Sequence, residues 1–268
     1  MSEYDAIEMV ESPATVSSLA ADFRALGIEA GDTLIVHSSL SSLGWVVGGP
    51  TAVIDALQEV LTERGTLVMP SFTSQYSNPE NWEAPPVPDH WVKIINDEMP
   101  PFRPESTPTR GMGAIGECFR NYAGVERSAH PINSFAAWGA GASTIISDHE
   151  FDYGLGEGSP LARIYDRGGK ILLLGVGHAN NTSLHLGEYP ASFEKEIITE
   201  RAPVERDGER VVVEYEDIET NTDDFEELGA DFEAEVGVTE GTVAAADVKL
   251  IDQQAIVDYA VEWFEAHR

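Results

Sequence analysis

The stretch Gly175-Val176-Gly177-His178-Ala179-Asn180-Asn181-Thr182-Ser183-Leu184-His185-Leu186-Gly187-Glu188-Tyr189 directly follows the apolar run Lys170-Ile171-Leu172-Leu173-Leu174. The run reads as a buried strand. Two glycines then permit a sharp turn. Asn180, Asn181, Thr182 and Ser183 offer oxygens where a helix can begin, with Thr182 or Ser183 as the cap and Pro190 as the stop. On such a helix His185 and Glu188, three residues apart, share one face. A histidine accepts a proton near neutral pH, and a carboxylate beside it orients the ring and stabilises the imidazolium. The same spacing also occurs in simple surface ion pairs. Its setting at the end of a strand is where open α/β sheets place ligands.

Upstream, Thr33-Leu34-Ile35-Val36 is a strand that runs into the polar segment His37-Ser38-Ser39-Leu40-Ser41-Ser42-Leu43-Gly44. Residues 50–63, opened by Pro50 and carrying Val53, Leu57, Val60 and Leu61 at helical spacing, read as a helix. Thr66-Leu67-Val68-Met69 is a second strand, ending at Pro70-Ser71-Phe72-Thr73. Strand, helix, strand is the mark of an α/β fold. Further helices are expected over residues 14–27, at 112–120, from Ser159-Pro160, from about residue 223 and over 252–266. Asp207-Gly208 signals a hairpin turn within 196–217, and 242–251 reads as extended. Residues 74–108 hold eight prolines and read as a long connection pinned by Trp82 and Trp91.

Thr107-Pro108-Thr109-Arg110-Gly111-Met112-Gly113 places hydroxyls, one arginine and glycines before a helix, a pattern suited to an anion. Arg127, in Arg127-Ser128-Ala129-His130-Pro131-Ile132-Asn133-Ser134-Phe135-Ala136-Ala137-Trp138-Gly139, is either a second phosphate ligand or part of a structural ion pair.

Taken in order, the segments 37–44, 65–73, 107–117, 127–139 and 171–189 resemble the aminoglycoside 3-N-acetyltransferases. The resemblance spans nearly the whole chain. It implies transfer of an acetyl group from acetyl-coenzyme A to the 3-amino group of a 2-deoxystreptamine ring or a related amine. It makes His185 the general base, with Glu188 as its orienting partner and direct transfer in a ternary complex. It also assigns the coenzyme to His37, Ser38, Ser39, Ser71, Thr73, Thr109, Arg110, Gly111, Met112, Gly113, Arg127 and Ser134, with no metal. One departure is Ala179, where many members of that family carry an acid; Asp152, Asp223 and Asp224 are candidates to compensate.

Composition bounds the alternatives. Asp and Glu number 47 against 16 Lys and Arg, a net charge of −31 in 268 residues. That field repels nucleic acid and anionic membranes. The acids run along the whole chain and 42% of residues are hydrophobic, which argues for a folded protein adapted to molar salt. Cys118 is the sole cysteine and no apolar run reaches membrane-spanning length, so a cytoplasmic protein is expected. No G-x-S-x-G elbow is present. Two rivals stay open at this point: a non-catalytic polycation-binding protein, and a zinc hydrolase that joins His178, His185 and Glu188. The expected architecture is one α/β domain over 1–268, three layers deep. It has a central mixed sheet, helices on both faces and a β-hairpin excursion. Nothing in the sequence speaks to oligomeric state.

Overall fold

The structure is a computed structural model that describes residues 3–83 and 85–268. After a first helix, α1 (Glu3–Glu8), the chain enters α2 (Val16–Leu26). Thr15 and Ser18 cap that helix reciprocally: Ser18 N–H donates to Thr15 Oγ1 at 3.2 Å, and Thr15 N–H donates to Ser18 Oγ at 2.9 Å. Gly27, at φ 101°, closes the helix in the left-handed conformation that glycine adopts without strain.

Strand β1 (Thr33–Ser38), helix α3 (Pro50–Leu61) and strand β2 (Thr66–Pro70) form the expected crossover unit. The connection from 74 to 108 departs from expectation, because it contains α4 (Asp89–Glu98). Prolines bracket this helix instead of preventing it: Pro88 stands at its N-cap and Pro100 lies just beyond its end. Trp82 does pin the segment, its indole N–H donating to Ser77 Oγ at 2.8 Å. Trp91 does not, being 50% exposed on α4.

Helix α5 (Gly113–Phe119) leads to β3 (Glu126–Arg127) and β4 (Phe135–Gly139). Then come α6 (Ala142–Ile146), α7 (Pro160–Tyr165), strand β5 (Lys170–Leu174) and α8 (Leu184–Glu188). Strands β6 (Ile197–Arg206) and β7 (Glu209–Ile218) make the hairpin, turning at Asp207 and Gly208 with φ 52° and 78°. Two positive φ values match the right-handed twist of the strands, which is why Asp-Gly is so strong a signal. Helix α9 (Phe225–Glu235) precedes β8 (Thr239–Val243) and β9 (Ala246–Asp252), and α10 (Gln253–His267) closes the fold. The single extended stretch expected at 242–251 is thus the turn and second strand of another hairpin. It turns at Ala244 with φ 50°, and Ala-Ala carries none of the usual turn chemistry.

Seven strands make one mixed sheet in the order β3-β4-β2-β1-β5-β9-β8, and β6-β7 form a separate two-stranded sheet. β1 is parallel to β2 on one side and to β5 on the other. Side chains alternate along these strands. Leu34 and Val36 join Leu19, Phe23, Leu57 and Phe119 on the face covered by α2, α3 and α5. Ile35, Ile171 and Leu173 join Leu161, Phe225, Phe232 and Phe264 on the face covered by α7, α9 and α10. Strands buried on both faces need continuous apolar sequence, which β1, β2 and β5 have. The hairpin is more than an excursion: Ala202, Val204, Tyr215 and Ile218 are buried, and Phe102 N–H donates to Pro203 O at 2.8 Å.

Among the described residues the buried carboxylates are Glu188, Glu200 and Asp217; the other acids lie at or near the surface. Raising KCl from about 0.1 M to about 1 M shortens the Debye length from about 10 Å to about 3 Å. The thermal midpoint is expected to rise, by about 2–4 °C for each kcal/mol of surface repulsion removed. Melting curves at graded KCl check this, and a flat or falling midpoint contradicts it.

Buried histidines add a pH dependence, with His149 and His178 held down by burial as well as the two whose values follow. Burial holds His37 down to about 3, with the neighbouring His185 adding to the effect, and burial holds His130 down to about 4. Between these values and the ordinary 6.5 the unfolded chain binds more protons than the folded one, so stability rises with pH and is lost as the pH falls. Glu200 and Asp217, pushed up by burial, act in the opposite sense in the range just above the ordinary carboxylate values. From about pH 7 to about pH 5 the histidines dominate. Each is expected to remove up to about 1.4 kcal/mol per pH unit inside its window, as urea midpoints at the two pH values would show.

Candidate active site

Because β1 is parallel to both β2 and β5, all three deliver their carboxyl ends to the same edge of the sheet. The chain leaves β1 toward β2 on one side, and β5 flanks β1 on the other. Such a switch point opens a crevice between the loops. Here a cleft of about 990 Å³ lies between residues 36–41, Met69-Pro70, 111–114 and 179–182. Gly175 holds its walls together. It has φ 67°, a side chain there would meet Ser42 Cβ at 2.4 Å, and Ser42 Oγ donates to Gly175 O at 3.0 Å.

Helix α8 begins at the far wall. Ser183 occupies its N-cap position but does not cap it; its hydroxyl accepts from Gln253 Nε2 at 3.2 Å. One turn is nevertheless enough to set His185 over Glu188. His185 lines the cleft, and its Nδ1 is hydrogen-bonded to Glu188 Oε2. Phe225 packs on the imidazole, ring centroids 4.8 Å apart. A carboxylate accepting at Nδ1 fixes the proton there and leaves the lone pair on Nε2, for which the described residues supply no partner. Glu188 is 1% exposed, and its other oxygen, Oε1, accepts from Arg268 Nη1 at 2.5 Å. Arg268 also grips Asp224, with Nε to Oδ2 at 2.8 Å and Nη2 to Oδ1 at 2.6 Å.

The sequence-derived ligand set divides in two. His37, Ser38, Ser39, Gly111, Met112 and Gly113 line the cleft. Two buried polar atoms on its wall, His37 Nε2 and Asn181 Nδ2, have no hydrogen-bond partner among the described residues. Gly111 and Gly113 have φ 77° and 71°, and a side chain at Gly111 would meet nothing within 4 Å, so the backbone there is open to a ligand. Arg110 is exposed beside Gly111, and among the described residues it has no ion-pair partner.

The other expected ligands turn inward. Arg127 donates to Ser134 Oγ at 3.0 Å and to the carbonyls of Thr107, Pro104 and Ser71. Its guanidinium stitches β3 to two loops and is neither a free cation nor part of an ion pair. Ser134 Oγ donates to Ser71 O, Thr73 Oγ1 to Pro131 O, and Thr109 Oγ1 to Glu117 Oε2 at 2.6 Å. Ser71 is wholly buried beneath them. Of these hydroxyls, Thr73 and Ser134 close loop backbones and Thr109 holds a carboxylate, while Ser71 Oγ has no hydrogen-bond partner among the described residues.

The three zinc candidates do not converge. His178 Nε2 is 2.7 Å from Glu233 Oε1 on α9, and its ring lies against Gly229, where an added Cβ would be 2.1 Å from it. Among the described residues no three His, Cys, Asp or Glu side chains are grouped to hold a metal ion. Two of the acids offered for Ala179 are also occupied: Asp224 by Arg268, and Asp152 by Glu216 N–H at 2.8 Å. Sequence reading missed the carboxylate that does stand beside this position, Glu226, which accepts from Ala179 N–H at 2.8 Å. It also missed Arg268, Phe225 and Asp217. Asp217 is buried, accepts from Tyr189 Oη at 2.8 Å and feels the charge of His185. All four come from elements distant in sequence and match no motif.

Relatives place this geometry. The SPbeta prophage-derived aminoglycoside N(3')-acetyltransferase-like protein YokD of Bacillus subtilis strain 168 is 45% identical over 259 residues, 96% of this chain and 95% of that one. The crystal structure of the B. subtilis YokD protein matches with a TM-score of 0.96 at 43% identity, covering 98% of each chain. Aminoglycoside N(3)-acetyltransferase VII of Streptomyces paromomycinus is 35% identical over 280 residues, 99% of this chain and 96% of that one. Two further solved structures carry ligands. AAC-IIIb, in binary complex with CoASH, matches at TM-score 0.86 and 33% identity over 95% of this chain and 97% of that one. AAC-VIa, bound to sisomicin, matches at TM-score 0.87 and 34% identity over 96% and 99%. Residues 35–265 match the model of the aminoglycoside 3-N-acetyltransferase family, and the chain is an acetyltransferase belonging to that family.

Proposed function

We propose that this enzyme transfers the acetyl group of acetyl-coenzyme A to the 3-amino group of a 2-deoxystreptamine ring or a related amine, with His185 as general base. The observation that carries the reading is the buried His185–Glu188 pair, its Nε2 free on the wall of the cleft. Binding of CoASH by AAC-IIIb and of sisomicin by AAC-VIa supports both substrates.

An amine attacks a thioester only through its lone pair, and much of a polyamine is protonated at neutral pH. His185 Nε2 takes the proton from the acceptor nitrogen. The new N–C bond forms as the C–S bond breaks, and the proton goes on to the departing thiolate. Glu188 holds the ring in the tautomer this requires and stabilises the imidazolium. No covalent enzyme intermediate is needed.

The coenzyme is held by the loop 37–39, by the open backbone of Gly111-Met112-Gly113, and by Arg110 as the available cation. His37 Nε2 and Asn181 Nδ2 supply polar partners that the protein itself leaves unmatched. Glu226 beside Ala179, together with the net charge of −31, favours a polycationic acceptor. This reading places the enzyme in the cytoplasm, where the coenzyme is made available, and takes the acidic surface as an adaptation to molar salt. Among the described residues no helix is long and apolar enough to cross a membrane.

Coenzyme A release with a panel of aminoglycosides and simple polyamines, at low and molar KCl, tests the reaction. Release that depends on no amine would sink it. His185→Ala is expected to lower kcat by about 10²-fold or more while leaving coenzyme binding intact; near-normal turnover would remove His185 from the role of base. Arg110→Ala is expected to raise the KM for acetyl-coenzyme A by about 3–10-fold, more at low salt, with kcat little changed. Arg127→Ala is expected instead to lower the thermal midpoint.

A further inference from the structure

The two oxygens of Glu188 are shared between opposite partners. Oε2 serves His185, and Oε1 serves Arg268. A carboxylate buried to 1% exposure is costly unless it is paired and hydrogen-bonded. Without a donor on Oε1, the carboxylate is free to rotate away from the imidazole. A ring no longer held by an acceptor at Nδ1 can carry its proton on Nε2 instead, and the lone pair that must receive the substrate proton would be gone.

Arg268 prevents this by its fixed charge and fixed place. Its side chain is 14% exposed. It holds both oxygens of Asp224 on the N-terminal approach to α9, and Nη2 also donates to Asn221 O at 3.0 Å. The guanidinium lies 4.0 Å from the Phe264 ring centroid and 5.3 Å from that of Phe193. Burial by itself would loosen its proton, but the bonds to Asp224 and Glu188 outweigh burial and raise it further above its ordinary value. Three helices, α8, α9 and α10, therefore meet in the chain His185–Glu188–Arg268–Asp224.

We infer that Arg268 is a positioning residue for the acetyl transfer: it takes up Oε1 of Glu188 and so reserves Oε2 for His185 Nδ1–H. The inference rests on His185 acting as the base. The other titratable groups facing the pair are His37 at the end of β1, Asp217 on β7, Asp224 before α9 and Tyr189 next to Glu188. His37 and Tyr189 are held neutral, chiefly by burial. Arg268 is thus the permanent positive charge in direct contact with the pair.

The test compares Arg268→Met, Arg268→Lys and Asp224→Asn in the full chain. It uses the pH dependence of kcat/KM, thermal melting, and the imidazole ¹⁵N signals of His185 as a report of its tautomer. Arg268→Met is expected to lower kcat by about 10–100-fold, part of the 10²–10⁴ that a positioned base contributes, and to leave the KM for acetyl-coenzyme A within about 2-fold. Its acid limb should move to higher pH, because the pair binds a proton more tightly once the neighbouring cation is gone. The Nδ1–H signature of His185 should be lost. Arg268→Lys keeps the charge and should return the limb and the tautomer toward those of the parent. Asp224→Asn removes the anchor but not the charge. It should lower the melting temperature without moving the limb upward. If Arg268→Met, or the equally uncharged Arg268→Gln should the former not fold, changes only the melting temperature, with limb and tautomer as in the parent, Arg268 is merely structural and the inference falls. The tautomer is read without turnover, so this failure is distinct from failure of His185 as base, which His185→Ala reports.

Discussion

The parallel pairing of β1 with β5 governs the molecule. Residues 34–38 are in register with residues 170–174, so Ser38 stands opposite Leu174. The polar segment that begins at His37 and the glycine turn at Gly175 therefore emerge side by side. Parallel neighbours cannot be joined by a tight turn, so the chain must cross over, and its helices cover both faces of the sheet. The two core clusters follow from that need. So does the cleft, which is the gap left where two crossover directions diverge.

Burial of charge is the second organising fact. The chain is dense in acids, yet it buries few of them, and each buried one is supplied with donors. Asp217 receives Tyr189 Oη and two backbone N–H groups, Glu200 receives Asn78 N–H at 2.7 Å, and Glu188 receives His185 and Arg268. Burial raises Glu200 and Asp217, which have no cation in contact, whereas Glu188 has Arg268. The same physical cost is met in two ways, by hydrogen bonds alone and by a full counter-charge.

Legibility followed the range of the interactions involved. The helix start at Ser159-Pro160, the Asp207-Gly208 turn and the apolar strands depend on neighbours a few residues away, and the structure has them as expected. The Ala244 turn and helix α4 run against their local chemistry: the pairing of β8 with β9 sets the turn, and the prolines of 74–108 flank α4 without entering it. In the segments 107–117 and 127–139 the residue types are legible but not every direction: Gly111, Met112 and Gly113 line the cleft, whereas Thr109 and Arg127 bond within the protein. A strand or loop shows which polar groups exist, and only its partner decides which way they point. Arg127, which the sequence leaves open between a phosphate ligand and an ion pair, is enclosed by Ser71, Pro104, Thr107 and Ser134.

By itself the sequence determined the α/β class, the central strands, the family and the His185–Glu188 spacing, because each is written in short-range periodicity or in contiguous motifs. The tertiary structure alone decided the rest. It turned His178 to Glu233 on α9, placed Glu226 beside Ala179, set Phe225 on the His185 ring, and brought Arg268 to Glu188 across 80 positions of chain. Electrostatic partnership acts over a few ångströms of space and is indifferent to separation along the chain. A single sequence records such partners only as isolated charges.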